Sequence, residues 1–123
     1  MKQNPVDWFE IYVENMDRAK KFYEAVLKVE LSPLENAGVQ MCTFPMEMDG
    51  AGAAGALVKM EGFESGANST LVYFRSQDCS IEEKRVSASG GRIQKSKQSI
   101  GEYGFISLVF DSEGNMFGLH SMK

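Results

Sequence analysis

Three features of this sequence predict an α+β fold of two βαβββ modules forming an open cleft. Residues 6–13 alternate like a strand, and an amphipathic helix pattern follows over 15–27. The same order begins again with a strand pattern over 70–75 and a helix pattern from Ser80. Each module would keep one sheet face on its helix and one face open. Two such open faces can enclose a shared cleft.

The length of 123 residues suits one compact domain. We expect a single domain over 1–123, with modules at about 5–60 and 69–123. The segment "EGFESGAN", residues 61–68, is the predicted linker, because it is rich in turn-forming residues and has no periodicity.

The first strand presents two different faces. Its apolar face, which we expect to pack on the helix, carries Phe9, Ile11 and Val13. Its other face carries Trp8, Glu10 and Tyr12. Asn15 is the predicted N-cap of the helix. The segments "VQMCTF" and "GALVKM" are then predicted as strands.

The second module has similar local signals. Ser80 and Glu83 have the spacing of a capping box, and Gly90 and Gly91 are typical of a helix end. The segments "RIQKS", "GFISLVFD" and "NMFGLHS" are predicted strands, and "DSEGN" is the turn between the last two.

Composition excludes several classes of function. The formal net charge of −4 disfavours nucleic acid as a partner, since phosphate binding needs clustered basic residues. The sequence has no apolar run of about 18 residues, so we expect no membrane span. The N-terminus "MKQNPVDWFE" lacks the apolar core of a signal peptide, and we therefore expect a cytoplasmic protein.

The stretch "DGAGAAGALV", residues 49–58, matches the G-x-G-x-x-G spacing of dinucleotide-binding loops. Such a loop should follow the first strand of a βαβ unit and open a helix. Here the stretch follows the predicted strand "VQMCTF" and leads into the predicted strand "GALVKM". We therefore interpret these glycines as backbone features and expect no dinucleotide cofactor.

The sequence resembles the vicinal oxygen chelate superfamily of glyoxalases, bleomycin-resistance proteins and extradiol dioxygenases. The resemblance is carried by "FEIYVENMDRAKKFYEAVL", by Gly90–Gly91 and by "DSEGNMFGLHS". Ser112 stands where the family turn has Pro, and Lys28 lies near a usual Gly. The resemblance implies paired βαβββ modules around a cleft, a small-molecule ligand and a homodimer.

Catalytic members of this superfamily usually hold a divalent metal on the cleft floor, and the resemblance gives the expected ligand positions. These positions fall on Trp8, Leu71 and Gly118, with a fourth among residues 56–58. None of these side chains can ligate a divalent cation. We therefore expect no metal site and no cofactor.

The predicted cleft face mixes aromatic surface with a few polar groups, as small-molecule pockets do. Glu10 and His120 are the candidate catalytic pair, although Glu10 can instead form an ion pair with Arg75 or His120. The candidate ligand contacts are Trp8, Tyr12, Tyr73, Arg75 and Tyr103.

These features predict a metal-independent small-molecule-binding protein, with a cationic aromatic compound as a suitable ligand. The alternative is an enzyme of the lyase, isomerase or dioxygenase type that uses Glu10 and His120. A third possibility is a dimeric scaffold without a small-molecule role.

Overall fold

The computed structural model describes residues 4–36, 38–47, 49–66 and 70–123. Within these ranges the elements follow the order βαβββ twice, which confirms the predicted α+β fold. The end of the predicted linker, residues 67–68, and the predicted start of the second module, residue 69, lie outside the described residues.

The first set of elements is β1 (Val6–Tyr12), α1 (Met16–Leu27), β2 (Ser32–Asn36), β3 (Val39–Thr43) and β4 (Ala54–Lys59). The second set is β5 (Thr70–Arg75), α2 (Cys79–Val86), β6 (Arg92–Ser99), β7 (Phe105–Phe110) and β8 (Met116–Ser121). Short 3-10 helices occupy Ser87–Ser89 and Gly101–Tyr103. None of the described helices is long and apolar enough to cross a membrane.

The chain divides into two compact units. The N-terminal unit is Trp8–Leu71. The C-terminal unit is Val72–Lys123 together with the residues up to Asp7. The first two residues of β1 therefore belong to the C-terminal unit, although the sequence pattern places the whole strand in the first module.

The strands of the N-terminal unit are ordered β2-β3-β4-β1, with β1 parallel to β4 and the other pairs antiparallel. The sequence analysis did not assign a strand to Ser32–Asn36. Pro33 is tolerated because β2 stands at the edge of this strand order, next to β3. On the open side of an edge strand, a backbone N–H does not need a hydrogen-bond partner from another strand. The core beside α1 consists of Val13, Met16, Leu31, Cys42 and Leu57.

α1 has a standard start and an unusual end. The Asn15 side chain accepts a hydrogen bond from the Arg18 backbone N–H at 2.9 Å, which confirms the predicted N-cap. At the other end Lys28 adopts φ 57° and ψ 47°, a left-handed conformation that favours glycine. The departure from the family pattern at Lys28 therefore falls on a position where glycine would fit without strain.

The strands of the C-terminal unit are ordered β5-β8-β7-β6, with β5 parallel to β8. The core beside α2 consists of Cys79, Val109 and Leu119, with Phe74 and Phe117 packed against it. Because Phe74 and Leu119 face this core, their strand neighbours Tyr73, Arg75, Gly118 and His120 have their side-chain positions on the opposite sheet face.

The predicted capping box of α2 is wrong. Asp78 is the N-cap, and its carboxylate accepts hydrogen bonds from the Ser80 N–H at 3.0 Å and the Ser80 hydroxyl at 2.7 Å. Glu83 instead accepts a hydrogen bond from the backbone N–H of Lys97 on β6 at 2.6 Å. The side chain of Lys97 also bonds Asp78, at 2.8 Å, so β6 holds the start of this short helix.

The glycine-rich stretch behaves as a backbone feature. It leads directly into β4, and β4 is followed by a turn and not by a helix. A Cβ on Gly55 would lie 2.5 Å from the Phe9 ring, so this position requires glycine for close packing between β1 and β4. This arrangement lacks the strand–loop–helix context of a dinucleotide site.

Candidate functional site

One carboxylate lies between two aromatic side chains on the same face of β1. Glu10 accepts a hydrogen bond from the indole N–H of Trp8 at 3.1 Å. Its second oxygen accepts a hydrogen bond from the Tyr12 hydroxyl at 2.7 Å. The spacing of two residues brings these three side chains together, because every second residue of a strand points to the same face. We call Trp8, Glu10 and Tyr12 the β1 triad.

The aromatic wall of the β1 triad extends beyond the strand. The ring of Phe63 stacks on the ring of Tyr12, with centroids 4.8 Å apart and an interplanar angle of 21°. Tyr12 is only 6% exposed. A ligand that stacks on this face of Tyr12 must therefore take the place of Phe63 or separate the two rings. The sequence analysis assigned Phe63 to a linker and missed it.

A second cluster, in the C-terminal unit, is built around Asp7. Nδ1 of His120 lies 3.1 Å from the Asp7 carboxylate, and Nε2 lies 2.7 Å from the backbone carbonyl of Tyr103. Arg75 lies 3.7 Å from the same carboxylate oxygen of Asp7. Asp7 is thus the ion-pair partner of both Arg75 and His120. The sequence analysis did not single out this residue.

The surroundings of His120 favour its protonated form. The hydrogen bond to Asp7 raises the pKa of the imidazole most, and the bond to the Tyr103 carbonyl raises it further against the effect of burial. Both ring nitrogens face oxygen acceptors, and only the imidazolium can donate to both at once. The two hydrogen bonds of His120 therefore connect β8 to Asp7 and to the Tyr103 backbone. To act as a base, the imidazolium would first have to lose a proton and one of these hydrogen bonds.

The predicted ligand contacts of the C-terminal unit differ in exposure. The side chain of Arg75 is 47% exposed and borders a cavity of about 440 Å³ with Asp7 and His120. The side chain of Tyr103 is exposed, whereas Tyr73 is only 5% exposed. The roles of these three residues stay predictions.

The position of Gly118 shows why the metal ligands of the family do not fit here. A Cβ on Gly118 would lie 2.3 Å from Cδ2 of Tyr73, so the tyrosine ring occupies the space that a ligating side chain from β8 would need. At the matching position of β1, the only heteroatom of the Trp8 side chain is an N–H that donates to Glu10. Leu71 has no donor atom. The side chains at these three positions therefore offer no ligand atom to a divalent metal, and the absence of a metal site stays a prediction.

Side chains elsewhere in the described ranges do not supply a substitute. Across residues 4–36, 38–47, 49–66 and 70–123, no three His, Cys, Asp or Glu side chains are grouped so that they could hold a metal ion. Glu10 and His120 belong to different units, and their meeting in one cleft stays a prediction.

A family comparison agrees with the fold and the strand–turn motifs. A model of the Glyoxalase/Bleomycin resistance protein/Dioxygenase superfamily matches residues 6–119. The chain belongs to this superfamily. Membership establishes the fold, but this fold hosts several kinds of chemistry, so the activity must be argued from the site.

Similar solved structures include two methylmalonyl-CoA epimerases. One, from Streptomyces coelicolor in complex with 2-nitronate-propionyl-CoA, is 18% identical with a TM-score of 0.71, over 98% of each chain. The other, from Mycobacterium tuberculosis, is 17% identical with a TM-score of 0.69, over 97% of this chain and 88% of that one.

An uncharacterized protein from Methanosarcina mazei is also similar. It is 16% identical with a TM-score of 0.60, over all of this chain and 95% of that one. At such identities these neighbours show the superfamily fold alone. No curated protein matches the chain.

Proposed function

We propose that this superfamily member is a small-molecule-binding protein that takes a cationic aromatic ligand without a metal. The observation that carries the proposal is the β1 triad, in which a carboxylate lies between an indole and a phenol. Aromatic faces attract organic cations, and a neighbouring carboxylate adds charge attraction. The net charge of −4 also favours the approach of a cation.

The other predicted contacts, Tyr73, Arg75 and Tyr103, remain part of the proposal with unequal support. Arg75 borders a cavity, which supports a contact with a ligand there. Tyr73 is buried against Gly118, which supports a packing role more strongly than a contact role.

The proposal is tested by titration with 1-methylquinolinium and its neutral isostere 1-methylnaphthalene. Trp8 is the only tryptophan of the chain, so intrinsic fluorescence reports directly on the triad. We expect saturable binding of the cation and at least about tenfold weaker binding of the neutral compound, a difference of about 1.4 kcal/mol.

Glu10→Gln removes the charge and keeps a side chain of similar shape, so we expect it to weaken cation binding by a similar factor. Glu35→Gln, on an exposed residue of β2, is the matched control and should leave affinity unchanged. Equal affinity of the wild type for both probes would contradict the proposal.

The alternative function is an isomerase-type enzyme in which Glu10 removes a carbon-bound proton and His120 assists. The epimerase neighbours favour this class within the superfamily. Incubation with methylmalonyl-CoA in D₂O, followed by proton NMR, tests it. The alternative predicts loss of the signal of the acidic C–H. Exchange that persists fully in Glu10→Gln, or that is absent in the wild type, would rule it out.

The homodimer that the resemblance implies is also carried forward as a proposal. Size-exclusion chromatography with light scattering should give twice the chain mass of 13.7 kDa. A monomeric mass across the micromolar range would contradict it.

A further inference from the structure

A short strap covers the tyrosine of the β1 triad. We define the strap as residues 61–66, which follow β4. Phe63 is the strap residue whose ring stacks on Tyr12. Stacked rings at 4.8 Å leave no space for a third ring between them, since each further aromatic layer needs about 3.5 Å. In this conformation the strap closes the aromatic face of Tyr12.

Within the part of the chain that the structure describes, hydrogen bonds of Phe63 and Ser65 attach the strap. The N–H of Phe63 donates to the Met60 carbonyl at 3.2 Å. The hydroxyl of Ser65 donates to the Glu14 carboxylate at 3.0 Å, and both side chains are exposed. A hydrogen bond of this kind contributes about 0.5–1 kcal/mol of net stability, because water replaces it when it breaks.

Glycines give the strap two positions where the backbone can turn. Gly62 has φ 93° and Gly66 has φ 83°, and a Cβ at either position would meet no atom within 4 Å. The space beside the strap backbone is therefore open at Gly62 and Gly66. Rotation there would lift Phe63 from Tyr12 without disturbing a core contact of either glycine.

We propose that Phe63 is an aromatic gate and that a flat organic cation binds between the rings of Phe63 and Tyr12. This inference rests on the proposed function and names the shape that the ligand must have. In the closed state Phe63 occupies one face of Tyr12, and the Ser65–Glu14 hydrogen bond holds the strap down. Binding breaks that hydrogen bond and places the planar cation between two aromatic faces.

The charge of the site determines which planar compounds are accepted. The hydroxyl of Tyr12 bonds the Glu10 carboxylate at 2.7 Å, so a ring stacked on Tyr12 lies beside that carboxylate. A cationic ring gains attraction from the carboxylate and from the faces of both rings. A neutral ring of the same shape gains only the stacking contribution.

Two strap variants should change affinity for 1-methylquinolinium in opposite directions. Phe63→Ala removes one aromatic wall of the bound state and also the Phe63–Tyr12 stack of the closed state. Because an aromatic face attracts a cation more strongly than it attracts a neutral ring, the first loss is the larger one, and we expect affinity to fall about 3-fold, while Phe63→Tyr keeps both contacts and the affinity. Ser65→Ala removes a contact of the closed state alone. It raises the fraction of open strap, and we expect affinity to rise about 2- to 5-fold.

Ile81→Ala, at an exposed apolar residue of α2, is the matched control and should leave affinity unchanged. Circular dichroism melts check that each variant folds. If Phe63→Ala does not fold, Phe63→Leu and Ser65→Ala provide the test.

The outcomes separate this inference from the function on which it rests. If the wild type binds the cation and Glu10→Gln weakens binding, the proposed function stands. Unchanged affinity in Phe63→Ala, or unchanged or reduced affinity in Ser65→Ala, then overturns the gate alone. If the wild type does not bind the cation, both proposals fail together.

Discussion

His120 lies between two oxygen acceptors, and this position makes a pH dependence of stability predictable. Contact with Asp7 raises the pKa of His120 above its ordinary value of 6.5 in the folded protein. The contribution to stability is therefore fully present below about pH 6.5 and is lost as pH rises through the folded-state pKa. The charged hydrogen bonds contribute on the order of 1.5 kcal/mol.

Urea unfolding between pH 5.5 and 8.5 measures this effect. His120 is the only histidine. Burial raises the pKa of Cys42 and Cys79, so the two thiols add a further fall in stability near the upper end of this range, and the difference between the wild type and His120→Gln isolates the contribution of the histidine. We expect the free energy of unfolding to fall as pH rises, and the dependence to be much weaker in His120→Gln. A wild-type profile that is flat or rises with pH would contradict this account of His120.

At the scale of single residues, the sequence predicted which side chains share the face of β1 but not every contact they make. Strand alternation alone places Trp8, Glu10 and Tyr12 together. The strand pattern did not single out Asp7. Its contacts with Arg75 and His120 join residues far apart in the chain, and no local pattern encodes them.

At the scale of elements, the end of α1 offers a direct test of backbone strain. Lys28 occupies a left-handed conformation that costs a side chain about 1–2 kcal/mol relative to glycine. We expect Lys28→Gly to raise the free energy of unfolding by about 0.5–1 kcal/mol, because relief of strain exceeds the added freedom of the unfolded chain.

Lys21→Gly, at an exposed position inside the same helix, is the matched control. It should lower the free energy of unfolding by about 1 kcal/mol, since glycine is a poor helix former. Both variants can be compared by urea denaturation. Destabilisation by Lys28→Gly would show that the strain is absent in solution.

Element ends that depend on tertiary contacts were predicted less well than those with local caps. Asn15 caps α1 through a bond within four residues, and the sequence pattern identified it. The capping box at Ser80 and Glu83 was wrong because Glu83 bonds Lys97 on a distant strand. The residue spacing in the sequence is the same whether a carboxylate caps its own helix or accepts a hydrogen bond from another element.

At the scale of the whole molecule, the order of elements was predictable because its signals are local and repeated. Strand alternation, helical periodicity and turn residues recur in both halves of the chain. The strap could not be predicted, because loop composition gives no sign that Phe63 returns to stack on Tyr12. The sequence pattern thus predicted the fold of this superfamily member and which residues form the β1 triad. It did not predict that Phe63 of the strap stacks on Tyr12.

The indole N–H of Trp8 gives a direct measurement of whether the β1 triad binds an aromatic cation. With one tryptophan in the chain, a nitrogen–proton correlation spectrum contains one indole signal, from the group that donates to Glu10. We predict that 1-methylquinolinium shifts this signal saturably and that 1-methylnaphthalene does so only at much higher concentration. An indole signal that stays fixed while the cation shifts signals elsewhere would contradict the account.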